Sequence, residues 1–371
     1  MIRRCANAIW GSGPWRVASF EEIARDHASD AAGIHHPEKF SGLLYVEPGE
    51  SAEYAAGPSL FGDEQEWEPL PDGPRYRSCG IIPPWPRRVF SLSDAGVITP
   101  DGVVYCRHSR RAVRETAEQW TQPAAAHPVL GAVGYPAPRR LPGLTLSLLT
   151  LSGEGYYHFL LESIPRLHLL WPWLQQADHL LVAGTPGGLQ EHWLEHAGIP
   201  LGKIVWMSGL CHVDCEQLLF TSRPMADQRP SRGTLAMLRA RLGFQPAPNP
   251  QRRIWISRRD AAHRHLAAED RLLALLPGFE RVELSRLSPQ AQISLLGECA
   301  VIAGPHGAGL ANVVFGPPGA HVFEIFPPDR RQPIYQRLAH LADQKYHWAA
   351  GSFTHPEQVE KLAAGICHAL S

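Results

Sequence analysis

Residues 301–312 read VIAGPHGAGLAN, a short apolar run followed at once by a glycine-rich segment. The run at residues 300–303 is β-branched at its centre, which is typical of a central strand in a parallel sheet. Glycine lets backbone N–H groups approach a ligand without interference from a Cβ atom, and it adopts positive φ at little cost. The segment therefore predicts a buried strand, a loop and a helix, with the loop built by Gly304, Gly307 and Gly309.

A helix that begins near Ala308 would direct its unpaired N–H groups and the positive end of its dipole at this loop. Such loops bind phosphate or diphosphate groups, here through the backbone of Gly307, Ala308, Gly309 and Leu310. His306 has three open interpretations, since it can donate to a phosphate, stack near a base or pack against its own loop. A glycine-rich turn can also be a plain connection, so the spacing alone leaves both nucleotide binding and a structural turn open.

The composition is that of a globular protein without strong charge. Of the 371 residues 44% are hydrophobic and 19% are charged, which excludes a disordered chain. The net charge of -1 argues against a dedicated nucleic-acid binder. No run approaches the ~20 apolar residues of a transmembrane helix, and the basic N-terminus lacks the apolar core of a signal peptide. The seven cysteines are odd in number and lack the density of a disulfide scaffold, so we expect reduced thiols and a cytoplasmic protein.

From about residue 144 onward, patterns typical of strands and of helices alternate. A proline-rich segment at 246–250 separates them into two blocks. Two successive blocks predict an α/β protein with two Rossmann-like sheets, whose ligand binds at the carboxyl ends of the strands and in the cleft between the halves. Strands are predicted at 144–151, 179–183, 204–207, 217–221, 254–257, 280–284, 300–303 and 321–326, and helices at 156–173, 189–197, 231–242, 268–276, 290–298, 332–342 and 356–369.

The length allows two domains, which we place at residues 1–228 and 229–371. Within the first domain, residues 1–143 form an irregular N-terminal extension that is rich in proline, glycine and tryptophan. The patterns there predict a helix at 20–32 and a hairpin at 96–105 with an Asp-Gly turn.

Two arginines, Arg258 and Arg259, directly follow a predicted strand. In a parallel sheet they lie at the same edge as His306, and arginine holds a diphosphate by bidentate, charge-assisted hydrogen bonds. A plain surface charge is the alternative, but the nearby glycine loop favours ligand binding. Glu324, near the end of the following strand, is either a solvated strand end or an acceptor for ribose hydroxyls. The arginines, the loop and Glu324 are therefore candidate contacts of one nucleotide.

His158 and Glu162 are four residues apart on a predicted helix and share a face, which Arg166 continues. A carboxylate that orients a histidine and raises its basicity makes a general base. A capping or packing pair is the alternative, and the spacing alone leaves both open.

The remaining patterns carry little chemistry. The segment 211–215, Cys-His-Val-Asp-Cys, has metal-ligand residue types, but its spacing matches no zinc motif. Neither a Walker loop nor a nucleophile elbow stands in a convincing context. We therefore predict neither a metal site nor a cofactor.

Three segments together resemble glycosyltransferase family 61: residues 157–167, residues 256–261 with Arg264 and Glu269, and residues 305–312 with Phe315, Gly319 and Glu324. The likeness covers roughly residues 144–346. It implies a GT-B-like fold, in which two Rossmann-like domains face each other across a cleft. It also implies inverting transfer of a sugar from a nucleotide sugar to an acceptor hydroxyl, without an obligatory metal. One departure is Ala311, where the family commonly has threonine.

The resemblance assigns acceptor binding to residues 1–228 and nucleotide-sugar binding to residues 229–371. We expect His158 and Glu162 to be catalytic, with either His158 as the base oriented by Glu162 or Glu162 as the base itself. The expected donor contacts are Arg258, Arg259, His306, Gly307, Ala308, Gly309, Leu310, Asn312 and Glu324.

By analogy with the family, we expect a role in bacterial surface or exopolysaccharide synthesis, with a saccharide or lipid-linked acceptor and no nucleic acid. A lipid-linked acceptor would allow the N-terminal part to contact the inner face of the membrane peripherally. Two alternatives stay open: a nucleotide-sugar epimerase or hydrolase of GT-B fold, and a non-catalytic nucleotide- or carbohydrate-binding protein.

Overall fold

A computed structural model describes residues 16–30, 41–50, 52–54, 59–60, 80–82, 85–118, 123–132, 134–225, 229–328 and 332–371. The chain divides into two compact units. The first unit comprises residues 1–49 and 85–225, and the second comprises residues 50–84 and 226–371. The second unit thus includes a segment that the sequence-based division assigns to the N-terminal domain.

The strands in the described ranges are β1 (Arg16–Ala18), β2 (Gly42–Glu47), β3 (Ala52–Tyr54), β4 (Gly80–Ile82), β5 (Arg87–Ile98), β6 (Val103–Cys106), β7 (Arg111–Val113), β8 (Arg139–Ser147), β9 (His179–Ala183), β10 (Ile204–Met207), β11 (His212–Thr221), β12 (Arg252–Ile256), β13 (Phe279–Val282), β14 (Cys299–Pro305), β15 (His321–Phe326) and β16 (Lys345–Ala350). The α-helices are α1 (Phe20–Asp30), α2 (Arg114–Ala117), α3 (Tyr156–His158), α4 (Ile164–Leu170), α5 (Leu189–His196), α6 (Arg232–Arg241), α7 (Glu269–Ala274), α8 (Pro289–Gly297), α9 (Ile334–Leu341) and α10 (Pro356–Leu370). A π-helical turn covers Phe159–Ser163, and 3₁₀ helices cover Ala124–Ala126, Pro128–Gly131, Trp171–Trp173, Leu201–Lys203, Leu284–Arg286 and Ala308–Phe315.

The first unit is built on a mixed sheet with the strand order β1-β7-β6-β5-β11-β8-β9-β10, and β2 also pairs with β5. Strands β11, β8, β9 and β10 are mutually parallel, as expected for a Rossmann-like block. Strand β5 runs antiparallel to β11 and carries the predicted hairpin with β6, whose turn contains Gly102 at φ 77°. The helix predicted at 20–32 is confirmed over Phe20–Asp30 as α1, and residues 31–32 lie outside the described ranges. The sheet of the first unit is therefore mixed, and β5, β6 and β7 of the N-terminal extension belong to it. The expectation that this extension is irregular is wrong for these strands.

The second unit contains a purely parallel five-stranded sheet with the order β13-β12-β14-β15-β16, which confirms an α/β fold with a parallel sheet. Strands β13 and β14 flank β12 on opposite sides, so the direction in which the sheet grows reverses between β12 and β14. Ligands of such sheets bind outside the carboxyl ends of the strands at this reversal. Trp255, Val301, Ala303 and Phe323 are fully or almost fully buried in the core of the sheet. Their burial fixes the carboxyl ends of β12, β14 and β15 relative to one another.

Four elements of the two blocks depart from the sequence-based prediction. Strand β11 begins at His212 and not at residue 217. Strand β8 covers Arg139–Ser147, whereas the predicted strand covers residues 144–151. The prediction misses the first part of β8 because Pro142 and Gly143 interrupt the apolar pattern there, opposite a register shift in β11. The helix predicted near Ala308 is a 3₁₀ helix. Strand β16 was not predicted, because its lysine and histidine side chains hide the apolar alternation. Ser288 caps α8, since its hydroxyl accepts a hydrogen bond from the N–H group of Ala291 in the first helical turn.

Candidate active site

The glycine loop follows β14 at the reversal point and lies directly against the arginine that follows β12. A Cβ atom added to Gly307 would come within 1.7 Å of Nη1 of Arg258, so the guanidinium group occupies the space that a side chain would need. A Cβ atom on Gly304 would come within 2.8 Å of the carbonyl oxygen of Ile256. Gly307 has φ 172°, which is extended backbone that any residue adopts. Glycine is therefore required here for close approach, and the expected need for positive φ is not found.

Arg258 is half-buried and holds its position by donating from Nε and Nη2 to the carbonyl oxygen of His263, at 3.3 and 3.1 Å. Burial lowers the pKa of the Arg258 guanidinium, and the positive charge of Arg264 lowers it further, whereas Tyr335 and Asp260 oppose this. Guanidinium stays charged in proteins even so. A partly dehydrated positive charge beside a glycine loop attracts an anion, which would restore the lost solvation.

Arg259 has a different environment. Its Nε lies 3.2 Å from Oε1 of Glu269, and its Nη2 lies 2.6 Å from Oδ2 of Asp270. Arg281 contacts the same two carboxylates, and the buried Glu269 also accepts a 2.8 Å hydrogen bond from Ser257. Arg259 therefore belongs to an ion-pair network that connects α7 with β12 and β13. The structure does not bring its guanidinium group to Arg258 and the glycine loop.

His306, Glu324 and Tyr346 form a buried hydrogen-bonded series across β14, β15 and β16. Nδ1 of His306 contacts Oε1 of Glu324, and the Tyr346 hydroxyl donates to Oε2 of Glu324 at 2.5 Å. Glu324 is fully buried and both of its oxygens are engaged, so its placement does not match the expected role as an acceptor for ribose hydroxyls. Burial and the neighbouring Glu324 raise the pKa of Tyr346 well above its ordinary value, so the phenol keeps its proton. Sequence reasoning missed Tyr346 because it missed β16.

The His306 ring is packed between two aromatic side chains. It stacks on Phe326 at 5.1 Å and lies 5.4 Å from Tyr335, and the side chain is 3% exposed. Its backbone N–H donates to the carbonyl oxygen of Ile325 at 2.8 Å, which ties the loop to β15. The ring is therefore held in one orientation at the carboxyl edge of the sheet.

The rest of the loop divides into a partly exposed and a buried part. Ala308 and Gly309 are partly exposed, so their backbone is the part of the loop that a ligand can reach. Leu310 is buried and its N–H donates to the Gly307 carbonyl oxygen at 2.9 Å. Asn312 is fully buried and donates from Nδ2 to the carbonyl oxygen of Gly309 at 3.0 Å. Leu310 and Asn312 thus shape the loop from within.

In the first unit, His158 and Glu162 form the predicted pair. Nδ1 of His158 lies 2.8 Å from Oε1 of Glu162, and the second oxygen of Glu162 accepts a 2.7 Å hydrogen bond from Thr150. Nη1 of Arg166 lies 3.6 Å from the same oxygen. The helix that carries them contains the π-helical turn at Phe159–Ser163, directly before α4. Pro165 has no N–H for an α-helical bond to the preceding turn, and a π turn absorbs this defect.

The Glu162 carboxylate is buried but charged. Burial alone would raise its pKa, but the hydrogen bond and charge of His158, the charge of Arg166 and the hydroxyl of Thr150 outweigh it and lower the pKa of Glu162 to about 2. Burial lowers the pKa of Arg166 to about 10, against the attraction of Glu162. Both groups are ionised at neutral pH. Arg166 and Thr150 also line a polar cleft of this unit that has about 390 Å³ of free volume, open solvent included.

We expect the stability of the first unit to depend on the charge of Glu162. Its pKa falls from an ordinary 4.5 to about 2 on folding, so the stabilisation is complete above about pH 4.5 and is lost as the pH falls toward 2. A shift of this size corresponds to about 3 kcal/mol. Urea unfolding between pH 7 and pH 3 should show a smaller loss of stability in Glu162→Gln than in the wild type. The exposed Glu195→Gln should keep the wild-type slope, and an unchanged slope in Glu162→Gln would contradict the prediction.

The segment 211–215 has a structural role. His212 contacts the Tyr105 hydroxyl at 2.6 Å and the Pro136 carbonyl oxygen at 2.9 Å, and Asp214 lies 3.2 Å from Nε of Arg107. Within the described residues, no group of three or more histidine, cysteine or acidic side chains is arranged to hold a metal ion. The helices described here also include none with the length and apolar character needed to cross a membrane.

Two curated proteins are similar to parts of this chain. The EGF domain-specific O-linked N-acetylglucosamine transferase of Drosophila melanogaster is 27% identical over 137 residues, which is 35% of this chain and 26% of the relative. A beta-1,2-xylosyltransferase of Arabidopsis thaliana is 31% identical over 64 residues, which is 17% of this chain and 12% of the relative. The chain thus spans about a quarter of the length of the Drosophila melanogaster relative and about an eighth of the length of the Arabidopsis thaliana relative.

The family model Glycosyltransferase 61 matches residues 156–323. This range begins just before His158 and ends directly before Glu324, so it includes the histidine–glutamate pair of the first unit and both Arg258 and the glycine loop of the second. Residues 156–323 of this chain are thus similar to glycosyltransferase family 61.

Proposed function

We propose that this chain transfers a glycosyl unit from a nucleoside-diphosphate sugar to an acceptor hydroxyl. The contact of the Arg258 guanidinium with the backbone of Gly307 carries the proposal. It combines a partly dehydrated positive charge with reachable backbone at the reversal point of a parallel sheet, where nucleotides bind in folds of this type. The similarity of residues 156–323 to the glycosyltransferase family 61 model supports the same conclusion.

The second unit binds the donor in this proposal. Arg258 pairs with the diphosphate oxygens, and the N–H groups of Ala308 and Gly309 donate to them. As the bond between the anomeric carbon and the diphosphate oxygen breaks, its electron pair stays on the diphosphate. Donors that are already in place stabilise this growing charge without reorganisation, which is the usual source of a large rate effect.

His158 of the first unit is the base. Donation from its Nδ1–H to Glu162 selects the tautomer in which Nε2 carries the lone pair. Nε2 takes the acceptor proton as the hydroxyl oxygen attacks the anomeric carbon from the face opposite the diphosphate, so the configuration inverts. Glu162 is a positioning residue, because a carboxyl with a pKa of about 2 that is buried and held by three neighbours is a poor proton acceptor.

The proposal also covers the type of fold, the compartment, the cofactor and the sugar. We assign the two units to the two domains of a GT-B-type enzyme that works in the cytoplasm and uses its nucleotide sugar without a further cofactor. The relatives' names make N-acetylglucosamine and xylose the first sugars to test. A role in bacterial surface or exopolysaccharide synthesis, with a saccharide or lipid-linked acceptor and peripheral membrane contact, rests on the family resemblance alone, and these relatives come from an animal and a plant.

A thermal-shift screen with UDP, GDP, ADP and CDP and their sugar conjugates tests the donor site, since a ligand at 100 times its Kd stabilises by about 2.7 kcal/mol. We expect one base to stabilise the chain selectively and its sugar conjugate to be consumed only when an acceptor is present. Turnover of the donor alone, to an epimer or to free sugar, would favour an epimerase or hydrolase. Saturable binding without turnover across an acceptor panel would favour a non-catalytic binding protein.

A further inference from the structure

We propose that the polar cleft of the first unit binds a neutral saccharide as the acceptor, and that Arg223 and Glu118 in its lining determine this specificity. The inference rests on the proposed function, because it takes the chain as a glycosyltransferase and names the chemical class of its acceptor. It concerns one unit and the binding step alone, so it is testable without turnover.

The cleft lies at the reversal point of the parallel strands in the first unit. Strands β9 and β10 follow β8 in order on one side, whereas β11 pairs with β8 on the other side. Ser147 at the end of β8 and Thr221 at the end of β11 line the cleft, and so does Arg223 shortly after β11. Ligands of α/β sheets bind outside the carboxyl ends of the strands at such a point. The topology therefore predicts a second ligand site besides the one at the glycine loop.

Two buried guanidinium groups supply hydrogen-bond donors in the lining of the cleft, those of Arg166 and Arg223. Besides burial, the charge of Arg223 lowers the pKa of Arg166, so the two groups are near enough to repel each other. The indole Nε1–H of Trp85 donates to the carbonyl oxygen of Arg223 at 3.0 Å, which fixes the backbone of Arg223 at the cleft. Guanidinium donates hydrogen bonds and accepts none. A ligand of this cleft therefore needs acceptor oxygens.

Three carboxylates supply acceptors in the same lining, those of Asp101, Glu115 and Glu118. Asp101 accepts a 3.1 Å hydrogen bond from the N–H group of Ser152 and lies 3.3 Å from Nε2 of His127, so it is held in place. Glu118 is partly exposed, and its carboxylate makes no hydrogen bond or ion pair with the described residues. An ionised carboxylate only accepts hydrogen bonds. The same ligand therefore needs donor groups as well.

The charges of the lining favour a neutral ligand. An anion would meet three carboxylates, while Glu162 already neutralises part of the charge of Arg166 at 3.6 Å. A cation would meet two partly dehydrated guanidinium groups, and like charges that face each other cost affinity. A sugar hydroxyl is a donor and an acceptor at once, so it can bridge a guanidinium and a carboxylate. A neutral saccharide therefore satisfies both kinds of lining group.

The cleft adjoins the proposed catalytic pair through one carboxylate. Oε1 of Glu162 contacts His158, whereas Oε2 contacts Thr150 and Arg166, which both line the cleft. Glu162 thus orients the proposed base with one oxygen and holds two cleft residues with the other. A saccharide in this cleft lies next to the residues that position the base.

Saturation-transfer difference NMR of the full chain tests the inference without a donor. The probes are methyl β-D-glucoside and methyl β-D-galactoside, each compared with the analogue that carries a carboxylate at C6 and the analogue that carries an amine at C6. We expect at least one neutral glycoside to bind. Its two charged analogues should bind at least about tenfold more weakly.

Variants assign the binding to this cleft. Leu151→Trp enlarges a side chain of the lining without changing a charge, so it should weaken glycoside binding at least about tenfold and keep the wild-type affinity for nucleoside diphosphate. Leu201→Trp, at an exposed leucine of the same unit outside the cleft, should bind glycosides as the wild type does. Glu118→Gln keeps an acceptor oxygen and removes a negative charge. It should strengthen binding of the C6 carboxylate and change that of the neutral glycoside little, whereas a merely structural role would weaken both alike.

The outcomes separate the inference from the proposed function. Undiminished glycoside binding in Leu151→Trp, stronger binding of a charged analogue, or no binding of either neutral glycoside would overturn the inference and leave the donor site standing. If Leu151→Trp fails to fold, Glu118→Gln decides, since equal changes for the neutral glycoside and its carboxylate overturn the inference as well. Failure of every nucleoside diphosphate to bind, with glycosides still bound in the cleft, would overturn the proposed function and leave a saccharide-binding protein.

Discussion

His158→Ala should lower the kcat of glycosyl transfer by about 10²- to 10⁴-fold, the usual contribution of a general base. The affinity for the nucleoside diphosphate should stay at the wild-type value, because the proposed donor contacts belong to the second unit. We assign the role of the base to His158 because it combines a hydrogen-bonded Nδ1 with a partly exposed side chain, whereas the Glu162 side chain is buried. Single-turnover rates with saturating donor and acceptor measure the effect directly.

Two comparisons make this result specific. His192→Ala removes an exposed histidine from α5 of the same unit and should keep the wild-type rate. Glu162→Gln should slow transfer, because a neutral amide orients the His158 imidazole less strongly than a carboxylate does. If His158→Ala and Glu162→Gln both fold and both transfer at near wild-type rates, His158 is not the base.

The local pattern of the chain predicts much of this site, because the residues concerned lie directly after apolar strands or on one helix face. The strand, loop and helix at residues 301–312 and the pair of His158 and Glu162 follow from periodicity and spacing. The contact between Arg258 and Gly307 does not, because it depends on two strands that are 43 residues apart in sequence becoming neighbours at the reversal point of the sheet. Only the fold brings them together.

Glu324 shows why residue type and position are not enough. An acidic residue at a strand end in a nucleotide fold suggests a ribose contact. The partner that such an acidic residue contacts depends on the adjacent strands. Here Glu324 contacts His306, which follows β14, and Tyr346 on β16. Strand β16 escaped prediction, so the acceptor capacity of Glu324 seemed free for a ligand. The π turn before Pro165 is a similar case, because the proline signals a defect in the helix without specifying how the helix absorbs it.

Gly307→Ala should weaken nucleoside diphosphate binding about as much as Arg258→Ala does. Loss of one charge-assisted contact costs about 1.5–3 kcal/mol, or roughly 10- to 150-fold in Kd. Arg258→Ala removes the guanidinium, whereas Gly307→Ala introduces a Cβ atom 1.7 Å from Nη1 and forces the guanidinium away from the loop. Backbone strain does not contribute, because the extended φ of Gly307 suits alanine equally well.

A double-mutant cycle distinguishes this mechanism from two independent defects. In the Arg258→Ala background the added Cβ atom no longer meets a guanidinium, so Gly307→Ala should cost little more and the two effects should not add. Gly202→Ala in the first unit, where an added Cβ atom meets nothing within 4 Å, should bind as the wild type does. Calorimetric Kd values for the four proteins of the cycle measure the coupling. Additive losses of affinity would mean that Gly307 and Arg258 act on the ligand separately. Wild-type affinity in Gly307→Ala would mean that the guanidinium can leave the loop without loss of binding.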